Sequence, residues 1–132
     1  MLLVNAWPDS KSPLMCAPGG GVEPGQSMPD NLAREIYEET GLRVVVGAPC
    51  LVNEFHDPAS GFHQVEVFFR CTLQGTAQID PDWQDPEHIV SEHIWATQHD
   101  FARLMVKPDS LARVAFEDET QASYDALERI VM

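Results

Sequence analysis

The stretch from Gly19 to Leu42, GGGVEPGQSMPDNLAREIYEETGL, constrains the fold of this chain more than any other segment. A glycine-rich loop runs directly into residues that carry the signals of a short helix. Ser27 is a good N-cap, Pro29 suits the first turn, and Gly41 occupies the place of a left-handed C-cap. The sequence therefore predicts a helix over residues 28–40, with a defined start and a defined end.

The predicted helix carries three glutamates, Glu35, Glu38 and Glu39, whose offsets of three and four residues place them on one face. Like charges at this spacing repel by roughly a few tenths of a kcal/mol per pair. A divalent cation with oxygen ligands would turn that repulsion into binding, and Mg²⁺ is the natural candidate because it binds carboxylates together with substrate phosphates. A solvated charged face is the alternative. The preceding glycine loop favours a metal-dependent phosphate site.

The intervals within this stretch resemble the Nudix box. The family pattern is Gly, five residues, Glu, seven residues, then Arg-Glu-aliphatic-any-Glu-Glu-any-Gly-aliphatic. From Gly20 to Leu42, eight of the nine specified positions match, and all intervals hold. The departure is Gln26, where the family has Glu. The residues from Gly20 to Leu42 are called the box below.

The resemblance implies a bound Mg²⁺, or Mn²⁺, held by four groups of the box: the Gly20 carbonyl and the carboxylates of Glu35, Glu38 and Glu39. Such an ion polarises phosphoryl oxygens and lowers the pKa of a bound water. A carboxylate then takes the proton from that water. In the family this base is a box glutamate or an acid on a later loop, so the candidates are Glu38, then Glu92, with Glu87 second among the loop acids.

The resemblance also implies a role for Arg34, and the residue types themselves suggest roles for the glycines and for Trp83. Arg34 orients the box by pairing with carboxylates, and Gln26 would keep an acceptor oxygen for it without the charge-assisted bond. The backbone of Gly19, Gly20 and Gly21 is expected to approach the substrate closely. Trp83, in a polar loop, could stack on a base or sugar, although aromatic residues are more often core.

The rest of the chain predicts an α/β fold. By resemblance it is a Nudix-like α/β/α sandwich with a mixed curved sheet, forming one domain over residues 1–132. Strands are expected at residues 1–6, 43–46, 50–56, 62–73 and 89–95, and helices from 97 to before 108, over 109–116 and over 124–132. The family's sheet usually begins one strand earlier. The first strand is therefore expected to be missing here, or supplied by another segment or subunit, because a bare edge invites pairing.

Composition limits the function classes. A net charge of −13 argues against nucleic-acid binding and anionic membranes as partners. The longest apolar runs are too short to cross a bilayer. No secretory signal is visible, and three cysteines without metal-ligand spacing fit reduced thiols in a cytoplasm. Homodimers are common in the family, so a homodimer is possible.

The expected function is a Mg²⁺-dependent hydrolase that cleaves the pyrophosphate bond of a nucleoside diphosphate linked to another moiety, similar to ADP-ribose or a sugar nucleotide. Two alternatives remain. One is a nucleoside triphosphate pyrophosphatase that removes damaged nucleotides. The other is a Nudix-fold module that binds a nucleotide without turnover, which Gln26 and the late-starting sheet favour and the three box glutamates oppose.

Overall fold

The computed structural model describes residues 1–117 and 121–131. Along the chain, the strands and helices are β1 (Leu2–Asn5), β2 (Met15–Cys16), α1 (Met28–Thr40), β3 (Arg43–Asp57), β4 (Phe62–Gln74), β5 (His93–Trp95), α2 (Gln98–Phe101), α3 (Leu111–Phe116), β6 (Ser123–Tyr124) and β7 (Glu128–Arg129). A 3₁₀ turn covers Pro8–Ser10. None of the helices in the described ranges has the length and apolar character needed to cross a bilayer.

The strands form two sheets. In the first, β1 is central and pairs antiparallel with β2 on one side and β5 on the other. In the second, β3 and β4 form a long antiparallel hairpin, and β6 and β7 pair parallel with β3. The predicted α/β fold with a mixed sheet is confirmed. The strand predicted at the start of the chain, β1, has a strand partner on each edge. Within the described residues, β2 and β5 are the outer strands of the first sheet, and β4 is an outer strand of the second.

The strand β3 is continuous where the sequence predicted two strands separated by Gly47, Ala48 and Pro49. Register shifts between Val46 and Pro49, and again between Pro49 and Leu51, absorb these residues as irregularities in the ladder. Glycine is needed at position 47, because a Cβ there would lie 2.9 Å from the carbonyl oxygen of Arg70. The bent hairpin that results packs against two clusters of buried apolar side chains, one that includes Leu3 and Leu51 and one that includes Leu2 and Ile36.

The first sheet connects the two clusters. Leu3 of β1 is fully buried and packs with Leu51 and the helix α3, whereas its neighbour Leu2 packs with Ile36 of α1 and with Leu42. Neighbouring side chains of a strand point to opposite faces, so β1 contributes to both clusters. The contact between Leu2 and Ile36 places α1, and with it the box, against the first sheet.

The predicted helix over residues 124–132 is wrong for the described residues; Met132 lies outside them. Segments 123–124 and 128–129 are short strands on β3, with Leu51 opposite Ser123 and Phe55 opposite Glu128. Backbone N–H groups of Asp125 and Ile130 donate to β3 carbonyls at 2.9 and 2.8 Å. A short isolated helix is marginal, and the open edge of β3 provides these hydrogen bonds instead.

Two further predictions are correct only in part. The helix expected from residue 97 ends at Phe101, because the following segment turns back along β2. There the Met15 N–H donates to the Met105 carbonyl at 2.8 Å, and Met15 pairs with Val106 in an isolated parallel bridge. The strand expected over residues 89–95 is limited to His93–Trp95. The predicted helix over 109–116 is present as α3.

Candidate active site

The helix α1 has the predicted bounds and caps. The Ser27 hydroxyl accepts a hydrogen bond from the Asp30 N–H at 3.1 Å. At the other end, Gly41 takes a left-handed conformation with a φ of 76°, and its N–H donates to the Tyr37 carbonyl at 2.8 Å. These local interactions fix where α1 begins and ends, and therefore which side chains face the glycine loop.

Three carboxylates converge beside α1. One oxygen from each of Glu35, Glu38 and Glu87 lies within 4.8 Å of the others. Burial of Glu35, which is 6% exposed, raises the pKa of its carboxyl group, and the charges of Glu87 and Glu38 raise it further against the opposing effect of Arg34. An all-oxygen donor set whose members repel one another fits a hard divalent cation such as Mg²⁺ or Mn²⁺.

The third box glutamate, Glu39, points to the glycine loop. It is half-buried, and its carboxylate accepts a hydrogen bond from the Gly19 N–H at 3.2 Å. Burial is the main cause that raises the pKa of Glu39 to about 8; the Gly19 hydrogen bond opposes the shift, and nearby acids such as Glu35 and Glu87 add to it. Glu39 therefore belongs to the same acidic region, although it lies outside the group of three converging oxygens.

The glycine loop lies directly against the acidic cluster. A Cβ at Gly20 would lie 2.6 Å from Glu35 Cδ, so only glycine fits there without moving the carboxyl group. Gly19 has a φ of 154°, and nothing lies within 4 Å of a Cβ built at Gly21. Of the three predicted substrate-binding glycines, Gly20 is thus the one that requires a close approach of backbone to carboxylate.

The sequence reasoning missed Asn31, which connects this loop to α1. Asn31 is 2% exposed, and its Nδ2 donates to the Gly21 carbonyl at 3.0 Å. Its Oδ1 accepts from the Glu23 N–H at 3.1 Å and from Arg34 Nη2 at 2.9 Å. The sequence did offer a hint: a polar asparagine, three residues before Arg34, occupies a helix position where the periodicity of apolar residues predicts a core side chain.

The guanidinium of Arg34 pairs with the residues predicted for it. Its Nε donates to Gln26 Oε1 at 3.1 Å, so the substituted glutamine keeps the expected acceptor. Its Nη1 donates to both oxygens of Glu38 at 3.0 Å, and its Nη2 donates to Glu35 Oε1 at 3.2 Å. A cation that binds Glu38 must therefore share its oxygens with Arg34 or displace the guanidinium.

Of the two loop acids, the structure brings Glu87 to the box and not Glu92. Glu92 is exposed and accepts a hydrogen bond from the Ser10 hydroxyl at 3.3 Å. The buried carboxylate of Asp85 sets the loop by accepting from the N–H groups of Glu87, Ile89 and Val90, at 3.0, 3.1 and 2.9 Å. Asp85 was missed as well, although an aspartate followed by proline in a loop is typical of such turns.

The indole of Trp83 packs on the end of α1. Its Nε1 donates to the Glu38 carbonyl at 2.8 Å, and its ring meets Tyr37 edge-on, with centroids 5.1 Å apart. A Cβ at Gly41 would lie 2.9 Å from Trp83 Cε3, so the ring covers the C-cap. Trp83 is not among the described residues that line the cavity below. In the structure Trp83 packs on the end of α1, and its stacking on a substrate stays a prediction.

A cavity of about 1280 Å³ lies between the glycine loop, α1, β1 and the β3–β4 hairpin. Its walls include Gly20, Glu35, Glu39 and Glu87. It is also lined by Cys16, whose pKa is raised to about 12 by burial first and then by the charges of Glu39 and Glu66. The carboxylates of Glu35 and Glu39 therefore line a space large enough for a nucleotide-sized ligand.

One named relative is similar to part of the chain. It is the mouse (Mus musculus) protein "Nucleoside diphosphate-linked moiety X motif 6", 32% identical over 57 residues. That match covers 43% of this chain and 18% of the mouse protein, so the chain spans less than a fifth of its length.

Solved structures are similar over most of the chain. The E. coli ORF135 protein, at 22% identity, has a TM-score of 0.63, and a NUDIX hydrolase from Nitrosomonas europaea, at 21% identity, has a TM-score of 0.68. Each comparison covers 86% of this chain and 76% of the other. At these identities the likeness shows the fold alone. The profile of the NUDIX domain matches residues 1–115, and the chain therefore belongs to the Nudix hydrolase family.

Proposed function

We propose that the protein is a Mg²⁺-dependent pyrophosphohydrolase that cleaves a nucleoside diphosphate linked to a second moiety. The convergence of Glu35, Glu38 and Glu87 within 4.8 Å is the observation that carries the proposal. Family membership supports the reaction type, and the name of the mouse relative supports the substrate class. The cavity beside these carboxylates supports a substrate that extends well beyond the phosphates.

Glu35 and Glu38 of this cluster, together with Glu39 and the Gly20 carbonyl that the family resemblance adds, are the groups that would hold the ion. When bound, Mg²⁺ supplies charge neutralisation at the phosphates and a more acidic water. Arg34 orients Glu38 through the two hydrogen bonds at 3.0 Å. We assign the uptake of the proton from the attacking water to Glu87, and its nearness to Glu35 and Glu38 on a loop held by the Asp85 turn supports this assignment.

One observation favours a second candidate, a nucleotide-binding module with little turnover. Both Glu38 oxygens accept from Arg34, while Gln26 offers Arg34 only a neutral acceptor. A charged partner at position 26 would hold the guanidinium more strongly. Without it, Arg34 competes with a cation for Glu38, which would weaken metal binding and catalysis.

A substrate panel separates the two candidates. ADP-ribose, sugar nucleotides, dinucleotides and nucleoside triphosphates are incubated with Mg²⁺, Mn²⁺ or EDTA, and the products are identified by chromatography. We expect nucleoside monophosphate from a diphosphate-linked compound, only with metal, and at least 100-fold less from Glu38→Gln. Release of pyrophosphate from triphosphates alone would instead identify a triphosphate pyrophosphatase. Binding without turnover at any metal concentration would support the module.

A homodimer stays a prediction from the family resemblance. Light scattering coupled to size-exclusion chromatography tests it, since the mass of one chain is 14.7 kDa.

A further inference from the structure

The loop that carries Glu87 is held in place mainly by hydrogen bonds. Residues 86–92, between Asp85 and β5, form neither a helix nor a strand. Residues 86–89 are exposed, so apolar packing contributes little to the position of the Glu87 carboxylate. Two buried polar side chains, Asp85 and Asn5, bind the backbone of the loop instead. The position of Glu87 therefore depends on these two residues.

Asn5, the last residue of β1, uses every hydrogen-bonding position of its side-chain amide, three of them on this loop. Its Nδ2 donates to the Ile89 carbonyl at 2.7 Å and to the Trp7 carbonyl at 2.9 Å. Its Oδ1 accepts from the N–H groups of Ser91 and Glu92, both at 2.9 Å. An asparagine amide offers two donor hydrogens and two acceptor positions, and an ionised aspartate of the same shape offers no donor. The site therefore fits asparagine specifically.

Asn5 and Asp85 hold Ile89 from two sides. The Ile89 N–H donates to Asp85 Oδ2 at 3.1 Å, and the Ile89 carbonyl accepts from Asn5 Nδ2. The other carboxylate oxygen of Asp85 accepts from the Glu87 N–H at 3.0 Å. The backbone of Glu87 is thus fixed relative to Ile89, and Ile89 is fixed relative to β1. Asn5 is the residue that connects this arrangement to the sheet.

The strand β1 contacts both parts of the candidate site. Leu2 packs with Ile36 of α1, the helix that carries two of the three converging carboxylates. Asn5, about 10 Å further along the strand at roughly 3.3 Å per residue, holds the loop that carries the third. Both edges of β1 are paired, with β2 and β5, so the strand is a firm support. The distance between α1 and the Glu87 loop is therefore set by one short strand.

We propose that Asn5 is a positioning residue that holds Glu87 at the metal site. This role deepens the proposed function and rests on it. Loss of the Asn5 amide releases Ile89, Ser91 and Glu92 from β1, and the loop is then free to move the Glu87 carboxylate away from Glu35 and Glu38. Side chains that orient a metal-binding or catalytic group typically contribute roughly 10–100-fold to metal affinity or activity. A loss in that range is expected here.

The test is a double-mutant cycle between Asn5 and Glu87. Asn5→Ala should lower kcat by roughly tenfold or more and change KM by less than about twofold. In a protein that already contains Glu87→Gln, Asn5→Ala should lower kcat by less than about twofold, because the group that Asn5 positions is absent. An effect of Asn5→Ala that is equally large in both backgrounds would show general damage to the site and overturn the positioning role.

A second variant and a control accompany the cycle. Asp85→Asn keeps the shape of the side chain but replaces one acceptor oxygen with a donor, so its effect should also disappear in the Glu87→Gln background. It provides the same test if Asn5→Ala does not fold. The control is Thr97→Ala, which removes the hydrogen bond that caps α2 just beyond β5. It should lower the melting temperature and change kcat by less than about twofold. A tenfold loss in Thr97→Ala would attribute the effect of Asn5→Ala to reduced stability.

A metal titration separates failure of the positioning role from failure of the proposed function. Binding of Mn²⁺, followed by electron paramagnetic resonance, needs no substrate. We expect Asn5→Ala and Glu87→Gln to weaken Mn²⁺ binding by similar factors, and the double variant to bind no more weakly than Glu87→Gln alone. If this pattern is found but no diphosphate-linked compound is cleaved, only the proposed reaction fails. If the wild type cleaves such a compound, and folded Asn5→Ala and Asp85→Asn keep its kcat and Mn²⁺ affinity, only the positioning role is overturned.

Discussion

Gly20 and Glu35 touch so closely that the hydrogen of glycine is the only side chain with room between them. A Cβ at position 20 would lie 2.6 Å from Glu35 Cδ and 2.7 Å from both of its oxygens. The glycine loop and the most buried carboxylate of the box thus define one another's positions. A change on either side would move the cluster that includes Glu38 and Glu87.

The first prediction concerns this contact. Gly20→Ala should push the Glu35 carboxyl group out of place and lower metal-dependent kcat/KM at least tenfold, because small displacements of catalytic groups are costly. Gly21→Ala changes the same loop at a position where nothing lies within 4 Å of the added Cβ. Its reduction in kcat/KM should therefore be much smaller. Equal losses would show that loop flexibility, and not the contact with Glu35, determines activity.

The second prediction distinguishes the two loop acids. Glu87→Gln should lower kcat by about 10²–10⁴-fold, the range for loss of a general base, while the protein keeps its melting temperature. Glu92→Gln should change kcat by less than about twofold, since Glu92 contacts Ser10 instead of the box. Steady-state kinetics on both variants, with one substrate, decides between them. A large effect at Glu92 alone would reverse the assignment.

The third prediction concerns the departure from the family pattern. Gln26→Glu should give Arg34 Nε a charged acceptor, draw the guanidinium from Glu38 and tighten Mg²⁺ binding several-fold. The Mg²⁺ concentration at half-maximal rate measures this effect. Gln26→Ala removes the acceptor of Arg34 Nε and should therefore weaken Mg²⁺ binding. If both variants bind Mg²⁺ as the wild type does, residue 26 has no influence on the metal site.

The fourth prediction is a pH dependence that arises from Glu39. Since the pKa of Glu39 rises from 4.5 to about 8 on folding, the folded state binds more protons than the unfolded chain between those values. The stabilisation from this group is therefore present below about pH 4.5 and lost as the pH rises to about 8.

Binding of Mg²⁺ should reverse this trend, because an ion on Glu39 replaces its proton. We expect the increase in melting temperature caused by Mg²⁺ to grow from pH 6 to pH 8, and the increase in Glu39→Gln to vary much less. Differential scanning fluorimetry with and without Mg²⁺ makes the measurement. A Mg²⁺ effect independent of pH in the wild type would show that Glu39 stays protonated or does not meet the ion.

Local signals made α1 predictable. Ser27 and Gly41 act within a few residues of the helix they cap, and the box intervals fix Glu35, Glu38 and Glu39 on one side of it. The pairing of Arg34 with Gln26 also follows from one helix and one short loop. These features depend on residues close together in the chain, so they could be predicted from the sequence alone.

The features that sequence missed depend on distant partners. The choice of Glu87 over Glu92 depends on Asp85 and on Asn5, whose Oδ1 accepts from the N–H groups of residues 91 and 92 at 2.9 Å. The C-terminal strands exist because β3 offers a free edge about 70 residues earlier. From sequence alone Trp83 is an aromatic residue in a polar loop, because its contact with Gly41, 42 residues earlier, depends on the folded structure.

The two leucines at the start of β1 link the hydrophobic core to the box, and this affects how substitutions in the core would alter activity. Leu2 packs against Ile36 of α1, and the adjacent Leu3 packs in the other cluster. Because the two residues are joined by one peptide unit, we expect a packing defect in the cluster of Leu3 to shift Leu2 and, with it, α1. Substitutions far from any phosphate, such as Leu51→Ala or Val114→Ala, should therefore reduce catalytic efficiency as well as thermal tolerance. We therefore expect stability and catalytic activity to change together when residues of either cluster are substituted.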